Sequence, residues 1–112
     1  MCSSDLAMTT FVPADSGEWL ESPDAAGRFR ILRVHDGGGV TIEVTIPAGT
    51  TGRPHRHPGG EELVMLSGEV EIDGVVLRAG DYLHTPPGAV HRAKAITDTR
   101  FVLVLPSVPE YL

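Results

Sequence analysis

The chain has 112 residues, enough for one domain but not for two with separate cores. Hydrophobic residues make up 41% and charged residues 21%, a composition that fits a globular protein and argues against disorder. Nine Lys and Arg against fifteen Asp and Glu give a formal charge of −6, with no basic footprint for nucleic acid. No apolar run approaches the roughly 18 residues of a membrane span. Cys2 is the single cysteine, which excludes a disulfide framework and a four-thiolate zinc site.

Met1 to Ala7 has neither the cationic start nor the apolar stretch of a secretory signal. Met8 would serve equally well as a start, so residues 1–9 are expected to form a disordered or non-native segment. The domain is read over 10–112. Without a targeting signal, the cytoplasm is the default expectation.

No helix is convincing. Glu18–Ala26 is the best candidate for a helical turn, and Pro23 interrupts it. Arg28–Val34 (RFRILRV) alternates polar and apolar residues with the period of a half-buried strand. His35–Gly39 is a turn. Val40–Ile46 (VTIEVTI) is β-branched at nearly every position. Glu62–Leu66 is a short apolar run. Glu69–Ile72 and Val75–Arg78 flank Asp73-Gly74, a two-residue signal for a type I′ hairpin. Asp81–Thr85, Ala89–Ala93 and Arg100–Leu105 follow, and the tail beyond Val108 is punctuated by proline. About eight short strands near ten residues apart predict an all-β sandwich or barrel.

Three of the five histidines carry a chemical pattern. His55 and His57 are one residue apart, and on a strand both imidazoles point to the same face. Glu61 follows across a Pro58-Gly59-Gly60 turn, and His91 follows the Pro86-Pro87-Gly88 turn. Three neutral imidazoles and a carboxylate suit a borderline divalent ion such as Fe, Mn, Co, Ni, Cu or Zn. Each feature alone has a bland reading: a surface His-x-His, two solvated carboxylates at Glu61-Glu62, a core histidine at His91.

The joint spacing sharpens this. One segment runs from Gly49 through His55, His57 and Glu61 to Gly68, and a second runs from Gly80 through Pro86 and Gly88 to His91. Together they resemble the paired motifs of the cupin superfamily. The run from His57 to His91 resembles most the small bacterial cupins related to the anti-sigma-factor sensor domain and to acetylacetone-cleaving dioxygenases. The resemblance implies a single-domain cupin-type β-barrel of jelly-roll (double-stranded β-helix) form with one divalent metal inside. His55, His57, Glu61 and His91 are its implied ligands, and Glu62 is the alternative to Glu61. The glycines Gly49, Gly68, Gly80 and Gly88 are structural. Relatives of the first kind bind zinc and those of the second bind ferrous iron, and the resemblance does not choose between them. Ala95 stands where the second motif usually ends in Asn. A homodimer is implied as well.

Around the ligands, Arg53 has their parity if the strand is regular and is a candidate contact for an anionic substrate. Leu63 and Met65 share the parity of Glu61, and Met65 is expected at the substrate pocket. Phe101 and Leu103 belong to one face of the last strand and are taken as its apolar wall. Tyr82 and His84 alternate before Pro86. On an inward face, His84 would be an acid–base group and Tyr82 a hydrogen-bond donor, beside a catalytic role for Glu61. On an outward face they are sheet-surface residues. His35 reads as a turn histidine and Trp19 as an anchor for the N-terminal segment.

The leading functional expectation is a mononuclear non-haem Fe(II)-dependent dioxygenase acting on a small organic molecule. The rivals are a non-catalytic zinc-binding sensor domain and a metal-dependent isomerase or lyase acting on a sugar or carboxylate. Fold analogy alone does not name the reaction.

Overall fold

The computed structural model describes residues 8–112, so of the segment 1–9 set apart in the sequence, residues 1–7 lie outside the described residues. The described chain is all β and antiparallel, with strands β1 (Leu20–Glu21), β2 (Arg28–Val34), β3 (Val40–Ile46), β4 (His55–Arg56), β5 (Glu61–Ser67) and β6 (Val70–Ile72), then β7 (Val75–Leu77), β8 (Tyr82–Thr85), β9 (Val90–His91), β10 (Ala93–Ala95), β11 (Thr99–Leu105) and β12 (Glu110–Tyr111). A six-stranded sheet runs β1-β2-β3-β11-β5-β8, and two three-stranded sheets run β10-β6-β7 and β12-β4-β9. No helix among the described residues is long and apolar enough to cross a membrane.

The longer strands fall close to the alternating run Arg28–Val34, the β-branched run Val40–Ile46 and the apolar runs that follow, and one face of each is turned to the core. Ile42, Val44 and Ile46 of β3 join Leu63 and Met65 of β5 and Phe101 and Leu105 of β11 in one core with Val70, Ile72 and Leu77. The Asp73-Gly74 hairpin forms as expected. Both residues have positive φ, 52° and 76°, as a type I′ turn requires. Gly68 also has positive φ (78°), and a Cβ there would collide with the Asp98 carbonyl, so the β5–β6 turn admits glycine alone.

Glu18–Ala26 departs from expectation. In place of a helical turn it forms the short strand β1 and a tight turn with Ala25 at φ 59°. Pro23 disfavours the helical conformation at Ser22, and pairing of Leu20 and Glu21 with Phe29 and Arg28 satisfies the backbone instead. Four strands, β1, β4, β9 and β12, have two residues each and are too short to leave a period in the sequence. The single strand expected over Ala89–Ala93 is divided, with β9 pairing β4 and β10 pairing β6.

The outer face of the large sheet is covered by the N-terminal segment. Glu43 points away from the core yet is buried, paired with Arg30 at 2.7 Å and with Arg100 at 3.2 Å. Arg30 Nη1 donates to the carbonyls of Pro13 and Ser16, and both guanidinium groups lie over the Trp19 ring. Trp19 is therefore the anchor expected of it.

Candidate metal centre and its cavity

The small sheet β12-β4-β9 assembles the site. His55 of β4 lies directly opposite His91 of β9. Just beyond β4, the His57 N–H donates to the Ala89 carbonyl, and the Gly60 and Gly88 N–H groups donate to the His57 carbonyl. These bonds tie the Pro58-Gly59-Gly60 turn to the loop before β9. Glu61 then opens β5, paired with Thr85.

The four side chains converge. Ligand atoms of His55, His57, Glu61 and His91 all lie within 4.8 Å of one another. His57 Nε2 is 2.9 Å from His91 Nε2 and 3.0 Å from Glu61 Oε2, and His91 Nε2 is 3.7 Å from Glu61 Oε1. Donors held about 2.1 Å from one ion stand roughly 3–4 Å apart, so these separations fit a single coordination shell. His55 Nδ1 bonds the Arg53 carbonyl at 3.0 Å, which fixes the proton there and leaves Nε2 as a lone-pair donor. Nδ1 of His57 and of His91 are buried without hydrogen-bond partners among the described residues. A buried group of inward-facing lone pairs beside a carboxylate is costly unless a cation lies among them, and this donor set fits a divalent transition metal.

Burial lowers the pKa of His91, and the His57 and His55 rings add to the lowering, against the opposing charges of Glu61 and Asp73. The neutral imidazole, the ligating form, is favoured. Asp73 Oδ2, from the β6–β7 turn, is 3.9 Å from His91 Nδ1.

The cluster lies on the wall of an apolar cavity of about 260 Å³ between the large sheet and the small ones. Phe29, Ile42, Leu63, Phe101 and Leu103 line it from the large sheet, and Ile72 and Ala93 from the other side. Its size is just below the roughly 300–1,000 Å³ usual for small-molecule sites. Phe101 and Leu103 of β11 both line this cavity.

Other expected positions are corrected. Arg53 does not line the cavity; it is exposed, and its Nη2 donates to the Leu112 carbonyl. Strand β4 begins only at His55, after Pro54, so the two-residue period does not reach back to Arg53. Met65 is buried in the core beyond the cavity, where its backbone bonds Gly80 and Asp81. Tyr82 and His84 stand on the outer face, because the register pairs His84 with Glu62 rather than with Glu61. Tyr82 is 55% exposed, its hydroxyl donates to Glu62 at 2.8 Å, and that bond raises its pKa. Glu61 is 3% exposed while Glu62 faces solvent. His35 bonds the Thr41 hydroxyl at 2.7 Å, as a turn histidine.

Sequence reasoning missed two contributors. Tyr111 of β12 lies opposite His55 in register, with ring centroids 5.4 Å apart, and lines the cavity. Burial raises its pKa, as do the charges of Asp24 and Glu61, against a lowering contact from Ser22. The hydroxyl therefore stays protonated. Asp24, in the turn after β1, lines the same cavity. Neither carries a signal in sequence, since both belong to elements too short to show a period.

A family profile described as ChrR Cupin-like domain matches residues 7–107. The chain belongs to the ChrR cupin-like domain family. Its fold is shared with solved cupins. An acetylacetone dioxygenase from Acinetobacter johnsonii superposes with a TM-score of 0.83 at 18% identity, covering 100% of this chain and 83% of that one. The anti-sigma ChrR complex with SigE from Rhodobacter sphaeroides gives 0.72 at 21% identity, over 83% of this chain and 51% of that one. By sequence, 66 residues are 36% identical to the DNA damage-repair/toleration protein DRT102 of Arabidopsis thaliana, covering 54% of this chain. The cupin-like domain spans about a fifth of that relative's length (21%).

Proposed function

We propose that the cavity is the active site of a mononuclear, non-haem Fe(II)-dependent dioxygenase acting on a small organic molecule. The observation that carries this reading is the placement of His55, His57, Glu61 and His91 on the wall of an apolar cavity of about 260 Å³, room for a small ligand. A site that served the fold alone would have no use for the adjoining space. The three imidazoles and Glu61 would hold the ion, which when bound supplies Lewis acidity and a one-electron couple. Phe101, Leu103 and Ile42 take up the apolar body of the substrate and exclude water. Tyr111, protonated and beside His55, is placed to donate a hydrogen bond to a substrate oxygen. The apolar wall weighs against a sugar as the substrate of the isomerase or lyase reading.

A second reading has its own support: one structural neighbour is an anti-sigma protein in complex with its sigma factor. On that reading the same four residues hold zinc and the domain is a non-catalytic sensor. The proposal also includes a cytoplasmic location and a homodimer, for which exposed Val64, Leu66 and Tyr82 offer an apolar surface. Light scattering that returns the mass of one chain overturns the dimer.

The deciding experiment is metal analysis of the purified protein, followed by anaerobic Fe(II) loading and oxygen-electrode assays with β-dicarbonyl and phenolic compounds. Substrate-dependent oxygen uptake supports the dioxygenase. Tightly held zinc, with no uptake after iron loading, supports the sensor.

A further inference from the structure

The charge distribution within the cavity bears on what it admits. Among the described residues no lysine or arginine lines it, and the sequence candidate for an anion contact, Arg53, is engaged with Leu112 outside it. Two carboxylates do line it. Glu61 belongs to the metal cluster. Asp24 does not, and nothing in the proposed chemistry uses it.

Asp24 is held firmly. Its Oδ1 accepts from the Ser22 hydroxyl at 2.6 Å and from the Ala26 N–H at 3.0 Å. Its Oδ2 lies against Gly52, where a Cβ would come within 2.5 Å, so glycine at 52 makes room for the carboxylate. Asp24 and Ser22 are half-buried, whereas Leu63, Ile72 and Phe101 deeper in the cavity are buried. Tyr111 lines the same cavity as Asp24 and Glu61, its ring 5.4 Å from that of His55.

We propose that Asp24 is a specificity-determining residue, a fixed negative charge at the cavity rim that selects uncharged apolar ligands and turns away carboxylates and phosphates. This rests on the reading of the cavity as a ligand site, not on the oxygenase chemistry. A divalent ion with Glu61 and three neutral imidazoles would leave one net positive charge, and Asp24 would bring the total charge of the cavity lining to zero. An uncharged ligand keeps that balance. An anion adds an uncompensated negative charge in an apolar space with no cationic side chain to meet it, and that is expensive.

The test uses three ligands of one shape and different charge: benzyl alcohol, benzylammonium and benzoate. Their binding is measured by isothermal titration calorimetry on the purified full chain, with metal content determined on the same sample. Benzyl alcohol is expected to bind more tightly than benzoate. Asp24→Asn keeps an acceptor for Ser22 and Ala26 and removes the charge. It is expected to tighten benzoate by about five-fold or more while leaving benzyl alcohol within about two-fold. A residue that only shaped the turn would give no such charge-specific change. Equal binding of benzoate and benzyl alcohol, unaltered by Asp24→Asn, overturns the selectivity and leaves the ligand site standing. Failure of all three to bind overturns both. Should Asp24→Asn not fold, the order of the three ligands on the unaltered protein decides.

Discussion

His55 and His91 are direct cross-strand partners in β4 and β9, their rings 4.9 Å apart. A two-stranded pairing therefore joins the first motif to the second, and it does so at the ligands themselves. The same small sheet brings Tyr111 against His55 on its other side. Metal binding and the local fold are thus coupled, because the ion would hold together strands of only two residues each.

That coupling sets the first expectation. An ion that binds the folded chain at a hundred times its dissociation constant stabilises it by about 2.7 kcal/mol. In a domain of this size, stripping the metal with a chelator should lower Tm by roughly 10 °C or more. Calorimetry before and after chelation checks it, and an unchanged Tm in a sample shown to lose its metal counts against the coupling.

Glu61 and Glu62 are adjacent but face opposite sides of β5. Glu61→Ala should reduce metal content per chain severely, while Glu62→Ala leaves it near that of the unaltered protein. Metal analysis of the two variants decides, and the reverse order would move the carboxylate ligand to Glu62.

Tyr82 and His84 stand on the outer face with Glu62. Tyr82→Phe and His84→Ala should therefore leave metal content and any substrate-dependent oxygen uptake unchanged. A loss of uptake in either variant would return these residues to the site.

The lowered pKa of His91 gives a pH dependence for the metal-free protein. The folded state binds a proton less readily than the unfolded chain, whose histidines titrate near 6.5. Stability from this group is present above that pH and is lost as pH falls toward the lower folded value. Urea unfolding of the metal-free protein should show stability falling with acidification below about pH 6.5, and His91→Gln should flatten that slope. Parallel slopes for the two proteins would assign the acid sensitivity to another group.

Arg30 and Glu43 form a buried pair at 2.7 Å on the outer face. Removing one partner leaves the other charged in a dry setting, so Arg30→Met should cost about 3–5 kcal/mol. Arg100, 3.2 Å from Glu43, holds the loss toward the lower end. Denaturant midpoints measure it, and a loss below about 1 kcal/mol would mean that Arg100 alone compensates Glu43.

The all-β class, most of the long strands and the four converging residues are legible in the amino-acid pattern. A period of two survives in seven residues, as in Arg28–Val34, and glycines at fixed spacing mark turns that other residues reach only with strain. The Asp73-Gly74 hairpin was legible for the same local reason. Features that depend on register and on pairing between distant segments emerge only once the chain is folded. Which face Tyr82 and His84 take follows from the alignment of β8 with β5, and a shift of one residue would reverse it. Tyr111 and Asp24 reach the cavity through two-residue strands and a tight turn, elements too short to carry a pattern and held in place by partners far along the chain.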